Sequence, residues 1–128
     1  MLSVVEIILY VKDQEKSALF YEQLLAQKPT LHVPGMTEFN LNANCKLGLM
    51  PNNGIAKILS DTMPHPETGT GIPRCELYLS VNDLHSAYAN AIAAGAQPIS
   101  PIMERNWGDT VCYFADFDGH VIAFAQQT

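Results

Sequence analysis

The stretch EIILYVKD at residues 6–13 returns in altered form as ELYLSVND at residues 76–83, an offset of 70 residues. Both stretches begin with a glutamate, alternate in polarity, and end at an aspartate that precedes a helix-like run. Alternation with a period of two predicts a β-strand, and an aspartate just before a helical pattern predicts an N-cap. We therefore predict the same strand and helix twice in this chain.

The residues after each aspartate carry a helical repeat and then a set of extended runs. Apolar side chains recur at i, i+3 and i+4 in residues 14–27 and again in residues 84–96, where Gly95 predicts the end of the second helix. The extended runs are PTLHVP, TEFNLNA and CKLGLMP in the first half, and QPISPI, DTVCYFAD and HVIAFAQ in the second. The sequence therefore predicts an α+β fold built from two βαβββ modules.

A segment rich in Pro, Gly and polar residues separates the two halves. Half of a 128-residue chain is short for a core of its own, since chains below roughly 70–80 residues are rarely stable unaided. We predict one domain over residues 1–128, with module 1 at 1–51, a linker or flap at 52–74, and module 2 at 75–128. The linker has room for a short helix at residues 55–59.

Composition and charge exclude several classes of protein. The net charge of −6, without any run of Lys or Arg, disfavours nucleic-acid binding. No apolar run approaches the ~20 residues that a membrane span needs, and the N-terminus lacks the pattern of a secretory signal. The three cysteines form no CxxC pair, so we expect a cytoplasmic protein with reduced thiols.

Three longer pieces carry a resemblance to a known family. They are YVKDQEKSALFYEQLL at 10–25, AIAAGAQPISPIMERNWGD at 91–109 and FADFDGHVIAFAQ at 114–126. In this order, on the internal repeat, they resemble the glyoxalase / bleomycin-resistance / extradiol-dioxygenase (vicinal oxygen chelate) superfamily over nearly the whole chain. The resemblance implies a curved mixed sheet that forms a cup around a ligand. It also implies a homodimer, with modules paired within one chain or swapped between two.

The alternation of side chains along the first strand of each module separates core from candidate site. Ile7, Leu9 and Val11 form an apolar face that should pack on the helices. The other face of these strands mixes carboxyl, aromatic and hydroxyl groups, which suits a binding pocket, although a solvated sheet face is the alternative. The candidate ligand-binding residues are Glu6, Tyr10, Glu76, Tyr78 and Trp107. Trp107, from the NWGD turn, is either a wall of the pocket or part of the core.

The resemblance also implies four metal-ligand positions, two at the heads of the first strands and two on the last strands. Here they fall on Glu6, on Glu76, on or next to Gly48, and on Ala123, and neither glycine nor alanine has a donor side chain. Two carboxylates can hold a hard cation if water and substrate oxygens complete its shell, whereas a zinc or nickel centre normally has more protein ligands. No cofactor is therefore predicted, and a divalent metal at Glu6 and Glu76 is the alternative.

Three functions follow from these features. The first is a small-molecule-binding protein of the drug-sequestering type without a complete metal site. The resemblance to bleomycin-resistance proteins allows a cationic ligand for it, and Glu6 and Glu76, if they face one cavity, could bind that cation, share a proton or act as a general base. The second is a metal-dependent lyase, isomerase or dioxygenase of the glyoxalase type, with Glu6 and Glu76 as metal ligands or bases. The third is an interaction module whose cup is filled by its own side chains.

Overall fold

Each half of the chain builds its own four-stranded mixed sheet. The computed structural model describes all 128 residues, with a first unit at Met1–Thr70 and a second unit at Gly71–Thr128. In both units a strand and a helix are followed by three strands. The α+β architecture of two βαβββ modules, predicted from the sequence repeat, is confirmed.

The first unit has the strand order β1-β4-β3-β2. Its βαβββ elements are β1 (Val5–Val11), α1 (Gln14–Leu25), β2 (Leu31–Val33), β3 (Met36–Asn42) and β4 (Cys45–Pro51). β1 pairs with β4 in parallel, and the other two pairings are antiparallel. The parallel pairing requires a crossover, which α1 and the two intervening strands provide.

The second unit repeats this topology with the strand order β5-β8-β7-β6. Its elements are β5 (Glu76–Ser80), α3 (Leu84–Ala94), β6 (Gln97–Glu104), β7 (Asp109–Ala115) and β8 (Val121–Gln127). β5 pairs with β8 in parallel, as β1 does with β4. The first and last strands of each module are therefore neighbours.

The segment predicted as a linker contains regular structure. Helix α2 runs over Asn52–Leu59, three residues longer at its start than the helix considered at 55–59, and it contacts β4 and β1. Two short 3-10 helices follow at Ser60–Thr62 and Pro66–Gly69. None of the helices is both long and apolar enough to cross a membrane.

The apolar face of β1 packs as predicted, with one exception. Leu9 and Val11 are buried, whereas Ile7 is 41% exposed. The prediction for Ile7 was wrong because β1 is the edge strand of its sheet, and α1 packs mainly on β4 and β3. In the second unit the ring of Tyr88 on α3 lies 5.0 Å from that of Phe114, centroid to centroid.

The ends of the two helices follow the sequence prediction. The side chain of Asp13 accepts a hydrogen bond from the Lys16 backbone N–H at 3.0 Å. Asp83 does the same for the Ser86 N–H at 3.1 Å, and hydrogen bonds from Ser86 hold the pKa of Asp83 below its ordinary value. Both helices end at a left-handed residue, which is Ala26 (φ 54°) in α1 and Gly95 (φ 94°) in α3.

These two helix ends offer a matched test of backbone strain. Ala26→Gly should raise the free energy of unfolding by about 1 kcal/mol, and Gly95→Ala should lower it by about 1 kcal/mol, because only glycine adopts the left-handed region without cost. A Cβ on Gly95 would meet the ring of Phe117 at 3.5 Å, an ordinary contact, so the effect comes from the backbone. Chemical unfolding measures both variants, and shifts of the same sign would contradict the prediction.

Candidate functional site

The register of the first sheet places two carboxyl groups around a glycine. Glu6 lies opposite Lys46, and Ile8 lies opposite Gly48. On the other side of β4, Glu38 of β3 also lies opposite Gly48. Directly opposed residues point to the same face of a sheet. This face is opposite to the one on which α1 packs, because Leu9 and Val11 alternate with the candidate residues of β1.

Gly48 leaves a space that the Glu6 side chain occupies. A Cβ atom at position 48 would clash with Glu6 Oε2 and would lie 3.0 Å from Ile8 Cγ1. Glu6 Oε2 is buried there, and no N–H or O–H group of the chain donates to it. Gly48 has no donor side chain of its own, and the carboxyl of Glu6 from the neighbouring strand β1 thus fills the space beside it.

The Glu6 carboxyl lies beside the carboxyl of Glu38, near enough for Glu38 to affect its pKa. Carboxylates only accept hydrogen bonds, so a hydrogen bond between these two groups requires one of them to be protonated. Burial raises the pKa of Glu6, and the hydrogen bond and the negative charge of Glu38 raise it further. The Lys46 ammonium, 3.7 Å from Glu38 Oε1, acts in the opposite direction. We call Glu6 and Glu38 the acid pair, in which Glu6 retains its proton to a higher pH than an isolated glutamate.

These residues do not fit a glyoxalase-type metal centre. Such centres have at least three protein ligands, and no group of three or more His, Cys, Asp or Glu residues is placed to hold a metal ion. Glu6 is directed at Glu38, and Lys46 brings a positive charge to the same place. Ala123, the corresponding position in the second unit, is buried between two strands and offers no donor.

The second sheet presents a face of tyrosines around small residues. We call Tyr78, Ala123, Ala125, Val111 and Tyr113 the aromatic face. Tyr78 of β5 and Tyr113 of β7 both lie opposite Ala123 of β8. Val111, Ala123 and Ala125 form a buried cluster with Tyr113 packed against it. Because neighbouring strands are about 4.8 Å apart, the backbones of Tyr78 and Tyr113 lie roughly 10 Å apart, with only the methyl group of Ala123 between the two side chains.

Tyr78 is held by a chain of hydrogen bonds. Its hydroxyl donates to Asp109 Oδ2 at 2.5 Å and accepts from Trp107 Nε1 at 2.9 Å. The bond to Asp109 raises the pKa of Tyr78, and the bond from Trp107 offsets part of that rise. Trp107 itself is 55% exposed. An exposed indole is therefore fixed beside the aromatic face rather than left free in solution.

The structure brings some of the predicted site residues together and leaves others apart. Tyr78 and Trp107 are in contact, whereas Glu76 is exposed at the head of β5, opposite Val121. Tyr10 lies four residues along β1 from Glu6, opposite Met50. The roles assigned to these residues remain predictions.

Four other residues of these two clusters were missed from the sequence: Glu38, Lys46, Asp109 and Tyr113. Alternation within TEFNLNA does place Glu38 on the face opposite Phe39, but its partner strand and register are not readable from that run.

Comparison with known proteins assigns the family. Residues 4–127 match the family model of the glyoxalase-like domain. The chain belongs to the glyoxalase-like domain family. No curated protein gives a significant match to it.

Solved structures of glyoxalase-like proteins share the fold. A glyoxalase-related enzyme from Fulvimarina pelagi superposes with a TM-score of 0.82 at 23% identity, over 99% of this chain and 89% of that one. A glyoxalase / bleomycin resistance protein / dioxygenase from Nocardioides gives 0.77 at 19% identity, over 99% and 84%. A family enzyme from Burkholderia phytofirmans gives 0.78 at 15%, over 96% and 97%. The resemblance seen in the sequence is confirmed.

The acid pair predicts a specific dependence of stability on pH. Because the folded state raises the pKa of Glu6, its contribution to stability is greatest at low pH and is lost as pH rises from the ordinary value of 4.5 through the raised one. Glu6→Gln can donate its amide to Glu38 at every pH. We expect this variant to melt a few degrees above the natural protein at pH 7.5 and to lose that advantage below pH 4.5.

The matched control is Glu76→Gln, which alters an exposed carboxyl at the corresponding place on β5. Thermal unfolding between pH 4 and 8 measures all three proteins. A Glu6→Gln variant that is destabilised equally at every pH would show that the two carboxyls do not share a proton.

Proposed function

We propose that this glyoxalase-like protein binds a small organic molecule through aromatic and polar side chains, without a metal centre. The observation that carries the proposal is the hydrogen-bonded chain from Trp107 through Tyr78 to Asp109 beside a floor of small side chains. Ligand sites are mostly apolar and aromatic, with a few fixed polar groups that orient the ligand. The aromatic face of the second unit has this composition.

The fixed position of the indole supports binding. A large apolar side chain that is 55% exposed gains little from folding unless something else covers it. The only donor of the Trp107 indole, Nε1–H, donates to the Tyr78 hydroxyl, so the orientation of the indole is set before a ligand binds. Such pre-organisation lowers the entropy cost of binding. Tyr78 beside it is partly exposed as well, so the two side chains offer an aromatic surface on which a planar ring can pack.

The acid pair of the first unit supports a role without metal. Glu6 lies beside Glu38, which raises the pKa of Glu6, and Lys46 compensates part of the charge of Glu38. These three groups are thus already engaged with one another and are not arranged as metal ligands. A cationic ligand stays a prediction, which titration of the protein with cationic aromatic compounds tests directly. A homodimer and a cytoplasmic location also remain predictions.

The single tryptophan makes the proposal directly testable. We expect members of a panel of neutral, anionic and cationic aromatic compounds to change the fluorescence of Trp107 in a saturable manner. Tyr78→Phe removes both hydrogen bonds of the hydroxyl and should raise the dissociation constant by roughly three- to tenfold, the scale of one hydrogen bond. The control Tyr88→Phe lies on α3, packed against Phe114, and should leave binding unchanged.

Two outcomes would contradict the proposal. One is a panel in which no compound changes the fluorescence of Trp107. The other is metal analysis of the purified protein that finds one tightly held divalent ion per chain, since that result would favour metal-dependent chemistry at Glu6.

A further inference from the structure

Arg105 reaches the aromatic face from the turn between β6 and β7. Its backbone N–H donates to the Asp109 carbonyl at 2.8 Å, which closes the turn. Its side chain folds back along the sheet, where Nη2 donates to Ser100 Oγ at 3.0 Å. The guanidinium carbon lies 5.5 Å from the centroid of the Tyr113 ring. The cation is therefore placed beside one of the two tyrosines of this face.

The positive charge of Arg105 has no negative partner in the chain. No carboxylate lies within ion-pair distance of it, and the nearby Asp109 carboxylate accepts from Tyr78 instead. Its Nε is buried and has no acceptor, whereas Nη1 has no acceptor but is open to solvent. A guanidinium cannot lose its proton to relieve this cost. A partly buried charge of this kind is normally paired.

We propose that Arg105 binds the carboxylate of an aromatic acid whose ring lies on the aromatic face. The inference rests on the proposed function, because it names the chemical class of the ligand of that face. The carboxylate would accept from the open Nη1 and supply the negative charge that the guanidinium lacks.

The surroundings of Arg105 favour a planar oxyanion. The guanidinium is planar and presents parallel donors that match a carboxylate. Tyr113 and Ser100 restrain its orientation, and Trp107 lies two residues further along the turn, where it can contact the ring of the same ligand. The chain carries a net charge of −6, so an anion gains nothing from the overall charge. Binding of an acid must therefore come from this local contact.

The test uses three probes of one shape: benzoate, neutral benzamide and cationic benzylamine. Binding is followed by NMR through the Trp107 indole N–H and the Arg105 Nε–H resonances of the full chain. We expect benzoate to bind at least about tenfold more tightly than benzamide, the scale of one charge-assisted hydrogen bond, and to shift both resonances. Benzylamine should bind no more tightly than benzamide.

Variants of Arg105 separate the effect of its charge on binding from any effect on folding. Arg105→Gln should weaken benzoate binding at least about tenfold and leave benzamide within about twofold. Arg105→Lys keeps the charge without the planar fork and should give an intermediate affinity. Arg74→Gln removes the only other arginine, which is exposed, and should change nothing.

The outcomes distinguish this inference from the function on which it rests. Equal binding of benzoate and benzamide, or a preference for benzylamine, overturns the role of Arg105 and leaves the proposed function standing. Benzoate binding that survives Arg105→Gln overturns the role of Arg105 as well. Failure of all three probes to shift the Trp107 resonance overturns both.

Discussion

The parallel pairing of the first and last strands in each module is the constraint on which both candidate sites depend. In a regular parallel pair, the difference in residue number between opposite residues is constant, so one such difference fixes which residues face each other along the whole strand. That offset sets Ile8 beside Gly48 in the first unit and Tyr78 beside Ala123 in the second. The third strand then adds Glu38 or Tyr113 across the same small residue. Each module thus surrounds a glycine or an alanine with larger groups.

The two modules use this shared geometry for different chemistry. Without a side chain, Gly48 admits a neighbouring carboxyl, and the half-buried Glu6 lies beside Glu38, which raises the pKa of Glu6. The methyl group of Ala123 fills that space, so the second unit has an apolar floor between tyrosines. Metal-ligand chemistry would need a donor at these positions. The small central residue and the side chains that flank it therefore together separate an acid pair from an aromatic surface.

The sequence predicted the elements better than their contacts. Asp13, Asp83 and Gly95 act locally, so capping and helix termination could be predicted from neighbouring residues alone. The pairing of Glu6 with Glu38 depends on three strands in register, including an irregularity in β3 between Asn40 and Asn42 that no local pattern reveals. The hydrogen bonds of Tyr78 likewise join residues 29 and 31 positions apart. Side-chain contacts of this range require the folded chain.

The space above Gly48 lets the Glu6 carboxyl lie beside Glu38, where its pKa is raised. A pH titration of the side-chain carboxyl carbons by NMR tests this most directly. In the natural protein, the pKa of Glu6 should lie above the ordinary value of 4.5. Gly48→Ala should push the Glu6 carboxyl away and return its midpoint toward that value, whereas Gly69→Ala, with no atom near its Cβ, should not. An ordinary midpoint for Glu6 in the natural protein, or the same midpoint in the Gly48→Ala variant, would contradict the account.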